Sequence, residues 1–177
     1  MNIVKGWIEE AKILKSPNFD ERNNEINLIV IHSISLPPSK YGSNNIDKLF
    51  LNKLNPLDHP YFKKIINLKV SSHFLIERTG VLKQFVSTED RAWHAGESSF
   101  KGEDNCNDYS IGIELEGTEN SEFEKAQYSQ LIKLTQTLMK KYPKIKKERI
   151  VAHSLIAPGR KLDPGKFFDW EYFKSEI

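Results

Sequence analysis

Short apolar runs, separated by polar and Pro/Gly-rich segments, predict the strands of a buried sheet. Residues 26–32 are apolar on both alternating faces and end at His32, which is typical of a central strand covered on both sides. Ser71–Arg78 and Val81–Val86 alternate in polarity and are joined through Gly80. This pattern predicts a hairpin in which Gly80 supplies the positive φ of a tight turn.

The segment 110–117 shows the clearest period of two. Its isoleucine and leucine side chains share one face, and the other face carries Gly112, Glu114 and Glu116. A glycine next to a carboxylate on the same face leaves room for another group to approach. The pattern therefore predicts a strand with one core face and one face open to chemistry.

Two helices are predicted in the second half of the chain. An apolar stripe at helical spacing covers about 122–142, and Ser121 with Glu124 matches a capping box at its start. Pro143 ends it. A second helix is predicted at about 169–175.

Mixed strands and helices in this order predict a mixed α/β fold, a central mixed β-sheet flanked by α-helices, in one domain over 1–177. The long segment 33–69 has a weak pattern, with one helical candidate at 46–51. Because long connections in compact domains are usually functional, we expect a cleft wall or a lid here.

Composition excludes several classes of function. The chain has 177 residues, 38% hydrophobic and 28% charged, with a net charge of +2, which gives no electrostatic reason to expect a nucleic-acid partner. The basic residues within 140–149 are expected to be a solvated helix end. Cys106 is the single cysteine, which fits a reducing compartment. No signal-like start and no apolar run of about eighteen residues is present, so we expect a cytoplasmic monomer that makes no membrane contact.

The stretch 151–165 concentrates chemistry. It is predicted to be a short apolar strand, from about 149, that ends in His153, followed by a loop that two Pro/Gly pairs keep from becoming a helix. Lys161 and Asp163 lie inside this loop. A rigid loop of this kind can hold an imidazole, an ammonium and a carboxylate close together.

His32, His153 and Asp163 form a three-ligand set suited to zinc, with a fourth position open. Glu114 is then a candidate proton carrier, and Lys161 a candidate to stabilise an oxyanion. Spacing alone leaves simpler alternatives open. The strand-end histidines could be structural, Glu114 could be a solvated strand carboxylate, and Lys161 could be a solvated loop cation.

Four blocks resemble a known family: residues 32–38, 91–96, 106–117 and 153–165. In the same order, across about 5–173, they are similar to the cytoplasmic 1,6-anhydro-N-acetylmuramyl-L-alanine amidases. These belong to a zinc amidase family related to phage lysozyme-amidases and peptidoglycan recognition proteins. The resemblance implies a central mixed sheet flanked by helices.

The resemblance also implies roles for individual residues. The zinc ligands of the family fall on His32, His153 and Asp163, with one Zn²⁺ per chain, its general acid/base on Glu114 and its transition-state-stabilising lysine on Lys161. The implied reaction is hydrolysis of the amide between the lactyl group of anhydro-N-acetylmuramic acid and L-alanine of the stem peptide. The implied partner is an anhydro-muropeptide substrate, in peptidoglycan recycling.

Substrate contacts are predicted at four positions. Trp93 and His94 are candidates to line the sugar or peptide cleft, with a core position as the alternative for Trp93. Lys69 is a candidate partner for a stem-peptide carboxylate. Ser33 stands where family members often carry asparagine. His73 is expected to be a satisfied sheet histidine instead of a ligand.

Two other functions remain open from the sequence. One is an amidase of intact peptidoglycan, of the phage or autolysin type. The other is a non-catalytic peptidoglycan-binding module on the same scaffold, which the retention of all three ligand candidates disfavours.

Overall fold

Short strands and helices alternate along the chain in a computed structural model that describes residues 1–177. The strands are β1 (Ile3–Val4), β2 (Trp7–Ile8), β3 (Lys12–Ile13), β4 (Phe19–Glu21), β5 (Leu28–Ile34), β6 (Phe74–Ile76), β7 (Leu82–Gln84), β8 (Asp90–Ala92), β9 (Ser99–Phe100), β10 (Glu103–Asp104), β11 (Ser110–Glu116) and β12 (Ile150–Ala152). The helices are α1 (Asn45–Phe50), α2 (Pro60–Ile65), α3 (Lys125–Lys141), α4 (His153–Ile156) and α5 (Trp170–Glu176).

Six strands form the central sheet, in the order β12, β5, β11, β6, β7, β3. The first four run parallel, and β7 returns antiparallel to β6. The sheet is therefore mixed and flanked by helices, as predicted. Its two longest strands, β5 and β11, are paired over their whole length.

Alternation along each strand sends side chains to two different cores. On one face, Ile29, Ile31 and the apolar residues of β11 pack with α3 and α5 in the largest cluster of buried residues. On the other face, Leu75 packs with α1 and α2, and Leu28 packs with the 95–109 region. His32 and Glu114 point to this second face, because they alternate with the residues of the first core.

The predicted strands are confirmed, with small shifts at their ends. Residues 26–32 become β5, which continues two residues beyond His32. The hairpin forms from β6 and β7, and Gly80 has φ +83° in its turn. The strand at 110–117 is β11, and all seven of its residues are buried.

The prediction for the start of the long helix was wrong by one turn. Glu124 is the N-cap of α3, and its backbone N–H donates to the Gln127 side chain at 3.0 Å in a capping box. Ser121 does not cap the helix because its hydroxyl oxygen accepts from the Thr118 hydroxyl at 3.0 Å. The predicted C-terminal helix is α5, capped by Asp169, whose carboxylate accepts from the Tyr172 N–H at 2.9 Å.

The prediction that His153 ends a strand was also wrong. The strand β12 ends at Ala152, and His153 begins the single helical turn α4. A proline ring clashes with the carbonyl four residues earlier, so Pro158 permits a turn at 153–156 but no longer helix. The turn closes with the Ala157 N–H donating to the His153 carbonyl at 3.0 Å.

The segment 33–69 carries its own packed core. The helix predicted at 46–51 is α1, and α2 was not predicted. Apolar side chains of both helices are buried against Phe85 and Val86. None of the helices has the length and hydropathy that crossing a membrane requires.

Candidate active site

Neighbouring parallel strands bring the two histidines together. Pairing of β12 with β5 places Ala152 opposite Ile31, so the next residues along each strand, His153 and His32, are adjacent. The loop after α4 then folds back, and the Ser154 N–H donates to the Asp163 carbonyl at 3.0 Å. This bond holds the Asp163 side chain beside the histidines.

The three predicted ligand atoms converge. The Nδ1 atoms of His32 and His153 are 2.9 Å apart, and Asp163 Oδ2 lies 3.2 Å from the first and 3.0 Å from the second. Both histidine side chains are 2% exposed, and that of Asp163 is 15% exposed. The structure therefore brings together all three residues of the predicted ligand set.

The protonation of these groups leaves acceptors facing one another. Burial lowers the pKa of His32 to about 4, so its imidazole is neutral at neutral pH. Although burial opposes it, hydrogen bonding with His153 and His32 holds the pKa of Asp163 below its usual range. His153 Nε2 lies 3.0 Å from the Ala95 carbonyl oxygen, which only an N–H can satisfy, so His153 Nδ1 carries a lone pair in the neutral ring.

These observations test whether a metal fits. A carboxylate oxygen and an imidazole lone pair at about 3 Å repel each other unless a cation or a proton lies between them. Two imidazole nitrogens and one carboxylate oxygen are a donor set that zinc accepts. The three residues thus fit a metal ion.

Glu114 lies next to this cluster. It is paired with His32 in the register of β11 and β5, and its Oε1 is 4.0 Å from His32 Nδ1. Its Oε2 is buried and has no hydrogen-bond partner. Burial, and then the charge of Asp163, raise the pKa of Glu114 well above its usual value, and Lys161 opposes this shift. A carboxyl with a raised pKa and a free oxygen is suited to carrying a proton.

A cavity of about 230 Å³ opens on these groups. Its polar lining includes the ligand cluster, Glu114, Lys161 and Ser33. The rest of the wall is largely apolar, formed by Ile34, Leu36, Leu49, Phe50, Tyr61, Ile65, Leu68 and Val70. The α1 and α2 region is therefore the cleft wall that the sequence predicted.

A larger depression, of about 480 Å³, lies between residues 97–99 and 156–160. It contains no residue of the predicted metal cluster and neither Glu114 nor Lys161. The smaller cavity is the candidate active site, because a reaction needs the proton carrier and the ligand cluster in one place.

Three of the four predicted substrate residues line the cavity: Trp93, His94 and Ser33. Trp93 is half-buried, and its indole N–H donates to Asp20 at 2.7 Å. Ser33 Oγ is buried without a partner. Lys69 is exposed and is not part of the cavity wall. Substrate contact at all four residues stays a prediction.

His73 is a satisfied sheet histidine. Its Nδ1 accepts from the Gly112 N–H at 3.0 Å, so Nε2 carries the proton, 3.1 Å from the Asp90 carbonyl oxygen. Burial, and then the neighbouring charge of Arg22, lower its pKa to about 3.

The sequence did not predict two side chains that hydrogen-bond to the backbone next to the ligand cluster. The Arg160 guanidinium donates to the Ala95 carbonyl at 2.6 Å, the same oxygen that faces His153. The Asn107 side-chain oxygen accepts from the His94 and Ala95 N–H groups, at 3.1 and 2.8 Å. These contacts join segments 12 or more residues apart, so no local pattern signals them.

Comparisons with known proteins agree with this geometry. The family model described as N-acetylmuramoyl-L-alanine amidase matches residues 22–166. The chain is 51% identical to the 1,6-anhydro-N-acetylmuramyl-L-alanine amidase AmpD of Haemophilus influenzae over 178 residues, 99% of this chain and 97% of that protein.

Solved structures are also similar to this chain, over all or most of its length. The crystal structure of a selenomethionine derivative of AmpD has a TM-score of 0.97 at 46% identity, covering 100% of this chain and 99% of that one. The E. coli amidase AmiD, in complex with anhydro-N-acetylmuramic acid-L-Ala-D-γ-Glu-L-Lys, has a TM-score of 0.63 at 32% identity and covers 85% of this chain and 57% of that one. Sequence, fold and the converging His, His and Asp side chains agree: the chain belongs to the N-acetylmuramoyl-L-alanine amidase family.

Proposed function

We propose that this chain is a zinc-dependent amidase of peptidoglycan recycling in the cytoplasm. Its reaction is hydrolysis of the amide between the lactyl group of 1,6-anhydro-N-acetylmuramic acid and L-alanine of the stem peptide. One observation carries the proposal: three ligand atoms, all within 4.8 Å of one another, converge next to Glu114, whose Oε2 has no partner, in the wall of a cavity. The substrate class is supported by the name of the H. influenzae relative and by the bound substrate of AmiD.

His32, His153 and Asp163 would hold the zinc ion. Zinc, when bound, supplies Lewis acidity, which polarises a carbonyl oxygen and acidifies water. The three residues contribute two imidazole nitrogens and one carboxylate oxygen, so a bound Zn²⁺ would keep part of its positive charge for the substrate. Their burial fixes the donor atoms, which reduces the reorganisation needed on binding.

Glu114 moves the proton. Its free Oε2 takes a proton from the attacking water and then delivers it to the nitrogen of the departing L-alanine. The raised pKa of Glu114 matches this double role, because a carboxylate of ordinary acidity would be too weak a base to take the proton from water. General acid–base steps of this kind contribute about 10²- to 10⁴-fold to a rate.

Lys161 is the cation of the cavity, and it stabilises the negative charge that develops on the lactyl oxygen. Its position two residues before Asp163 ties the ammonium to the ligand loop. The same cavity has a largely apolar wall from α1 and α2, and a substrate that fills it would displace water and so strengthen this electrostatic interaction.

Four side chains are proposed to contact the substrate. Ser33 belongs to the cavity wall, and its Oγ is buried without a hydrogen-bond partner, so contact with the substrate requires the side chain to turn toward the cavity. Trp93 offers an aromatic wall to the sugar or the peptide. His94 has partners for both ring nitrogens, which restricts it to contact through a ring edge. Lys69, outside the cavity, meets a stem-peptide carboxylate only where the peptide extends beyond the wall.

The proposal includes a single-domain monomer without a nucleic-acid or membrane partner. A net charge of +2 gives little attraction to anionic polymers. Light scattering after size-exclusion chromatography tests the oligomeric state, and sedimentation with anionic vesicles tests membrane contact.

The deciding experiment measures zinc content and hydrolysis of anhydro-muramyl tripeptide for wild type, Glu114→Gln and Asp163→Asn. We expect about one zinc per wild-type chain. Glu114→Gln should keep its zinc and lose about 10²- to 10⁴-fold in kcat, since only the proton carrier is removed. Asp163→Asn should lose both zinc affinity and activity.

A matched control is Glu171→Gln, which makes the same change on the exposed first turn of α5 and should leave both readouts unchanged. Zinc bound without hydrolysis in wild type would contradict the enzymatic proposal and favour the non-catalytic module. Faster release from whole sacculi than from the soluble muropeptide would favour an amidase of intact peptidoglycan.

A further inference from the structure

The ring of His94 lies against the ligand His32, and each of its nitrogens has a partner. His94 Nδ1 is 2.9 Å from His32 Nε2, and His94 Nε2 is 3.2 Å from the Ser110 hydroxyl oxygen. Ser110 in turn donates its single hydroxyl proton to the Cys106 carbonyl. These contacts form one buried series of hydrogen bonds, which runs from the Cys106 carbonyl through the Ser110 hydroxyl and the His94 ring to the His32 ring.

All hydrogen bonds in this series donate in the same direction, toward the Cys106 carbonyl, because a carbonyl can only accept. The Ser110 proton is committed to the Cys106 carbonyl, so its oxygen accepts from His94 Nε2–H. A neutral imidazole carries one proton, which leaves His94 Nδ1 as an acceptor for His32 Nε2–H. It follows that His32 Nδ1 carries the lone pair, and this is the atom that faces His153 and Asp163.

If the hydrogen bonds ran in the opposite direction, His32 could not bind a metal ion through Nδ1. With a proton on His94 Nδ1, His32 Nε2 would have to accept, and the His32 proton would move to Nδ1. That proton would lie between His32 and the Asp163 carboxylate, where the metal belongs. The position of one proton on Ser110 therefore decides which nitrogen of His32 can bind a cation.

Gly112 makes room for this arrangement. It lies on β11 between Ser110 and Glu114, and a Cβ atom at this position would come within 2.5 Å of His94 Cγ. Its φ is not in the left-handed region, so glycine is needed here for space and not for conformation. The open face that the sequence predicted on β11 is thus occupied by the His94 ring.

We infer that Ser110 and His94 are positioning residues that set the tautomer of His32 and so prepare its Nδ1 to bind the metal. The inference rests on the proposed function only in taking His32 as a metal ligand. Removal of outer partners of metal-bound histidines typically costs 10- to 100-fold in metal affinity.

The test compares zinc affinity, by competition with a chromophoric chelator, for wild type, His94→Leu, His94→Asn and Ser110→Ala. His94→Leu should weaken zinc binding by about 10- to 100-fold. The amide oxygen of His94→Asn can replace Nδ1 as the acceptor for His32, so this variant should recover most of the loss. Ser110→Ala should weaken binding by a smaller factor, because it frees the His94 ring to take either tautomer. Circular dichroism and Tm establish that each variant is folded.

Long-range ¹H–¹⁵N correlation spectra of zinc-loaded wild type supply a second readout that does not depend on any variant. We expect the protons of both His32 and His94 on Nε2. A proton on His94 Nδ1 would overturn the inference, as would equal zinc affinity of folded His94→Leu and wild type. Neither readout uses hydrolysis: zinc binding without turnover would contradict the proposed function alone, and full turnover with an unchanged His94→Leu affinity would contradict this inference alone.

Discussion

Lys83 forms a buried ion pair whose loss should loosen the cleft wall. Its ammonium is 2.7 Å from Asp47 Oδ2, on α1, and 2.5 Å from Glu77 Oε1. The Lys83 side chain is 6% exposed, and Asp47 Oδ1, the second oxygen of the carboxylate, has no hydrogen-bond partner. Lys83→Met keeps the length of the side chain and removes the charge, so it leaves the Asp47 carboxylate buried and unpaired.

Breaking one side of a buried pair typically costs about 3 to 5 kcal/mol in the free energy of unfolding. The lower end, about 3 kcal/mol, applies here because the Glu77 side chain is 25% exposed and water can replace its partner. For a chain of 177 residues this corresponds to a fall in Tm of roughly 6 to 12 °C. Urea unfolding and calorimetry measure both quantities.

Two comparison variants isolate the cost of leaving the Asp47 carboxylate unpaired. Adding Asp47→Asn to Lys83→Met removes the unpaired carboxylate and should recover more than half of the loss. Lys48→Met, on the same helix, breaks an exposed pair with Asp58 at 3.6 Å and should cost less than about 0.5 kcal/mol. A loss below about 1 kcal/mol for Lys83→Met, or an equal loss for Lys48→Met, would refute the reasoning.

The dependence on pH follows from the pKa of Lys83. Burial lowers this pKa, but hydrogen bonds to Asp47 and then Glu77 outweigh burial, so the folded-state pKa is raised. The contribution of a cation with a raised pKa is complete below its unfolded pKa and is lost as pH rises through the folded value. The difference between wild type and Lys83→Met should therefore be constant at neutral pH and shrink only at strongly alkaline pH.

Three further predictions concern stability. Gly165→Ala should lower the free energy of unfolding by more than about 2 kcal/mol in urea titrations, because Gly165 has φ +94° and a Cβ would lie 2.2 Å from the Glu119 carbonyl. Glu116→Gln should cost about 1.5 kcal/mol and speed amide exchange at Gly42, because the Glu116 carboxylate accepts from the Gly42 N–H at 2.6 Å and the Arg78 N–H at 3.2 Å. Chelation of a metal present at about 100 times its Kd should remove about 2.7 kcal/mol, seen by calorimetry as a lower Tm.

The glycine prediction has a control variant, and the other two have outcomes that would contradict them. Gly159 has φ +77°, and a Cβ at this position would have no atom within 4 Å, so Gly159→Ala reports backbone strain without a clash and should cost only about 1 kcal/mol. Equal losses of unfolding free energy for Gly165→Ala and Gly159→Ala would show that the clash with the Glu119 carbonyl does not contribute. Unchanged exchange at Gly42 in Glu116→Gln, or an unchanged Tm after chelation of the wild type, would contradict the other two.

The lid predicted for residues 33–69 meets a structural objection. Besides the Lys83 pair, the Ser16 hydroxyl donates to the Phe50 carbonyl, and the Asn18 amide donates to Asn52 at 3.0 Å. These bonds and the apolar core beneath α1 and α2 favour a wall that stays in place. Hydrogen exchange with and without a product fragment measures this; strong protection of α1 in both states would agree with a fixed wall.

Local patterns were sufficient for five of the six strands of the central sheet, all but β3, and for the longest helix except its first turn. The apolar run before His32 and the alternation of 110–117 are properties of neighbouring residues, and period-two burial follows directly from them. The errors arose where two local solutions compete. Ser121 and Glu124 can both cap a helix. In the structure Glu124 is the N-cap, and the Ser121 hydroxyl is hydrogen-bonded to Thr118 instead.

The sequence by itself determined which chemical groups each element carries: a histidine near the end of one buried strand, a carboxylate on another, and a rigid loop that carries Lys161 and Asp163. The tertiary structure alone decided how these groups act on one another. His94 is 62 residues from His32 and Lys83 is 36 from Asp47, so only the folded chain brings each pair within hydrogen-bonding distance. Burial and partner geometry then set which imidazole nitrogen carries a proton and in which direction the pKa of each carboxyl moves, because both depend on the exclusion of water and on contacts that no local pattern encodes.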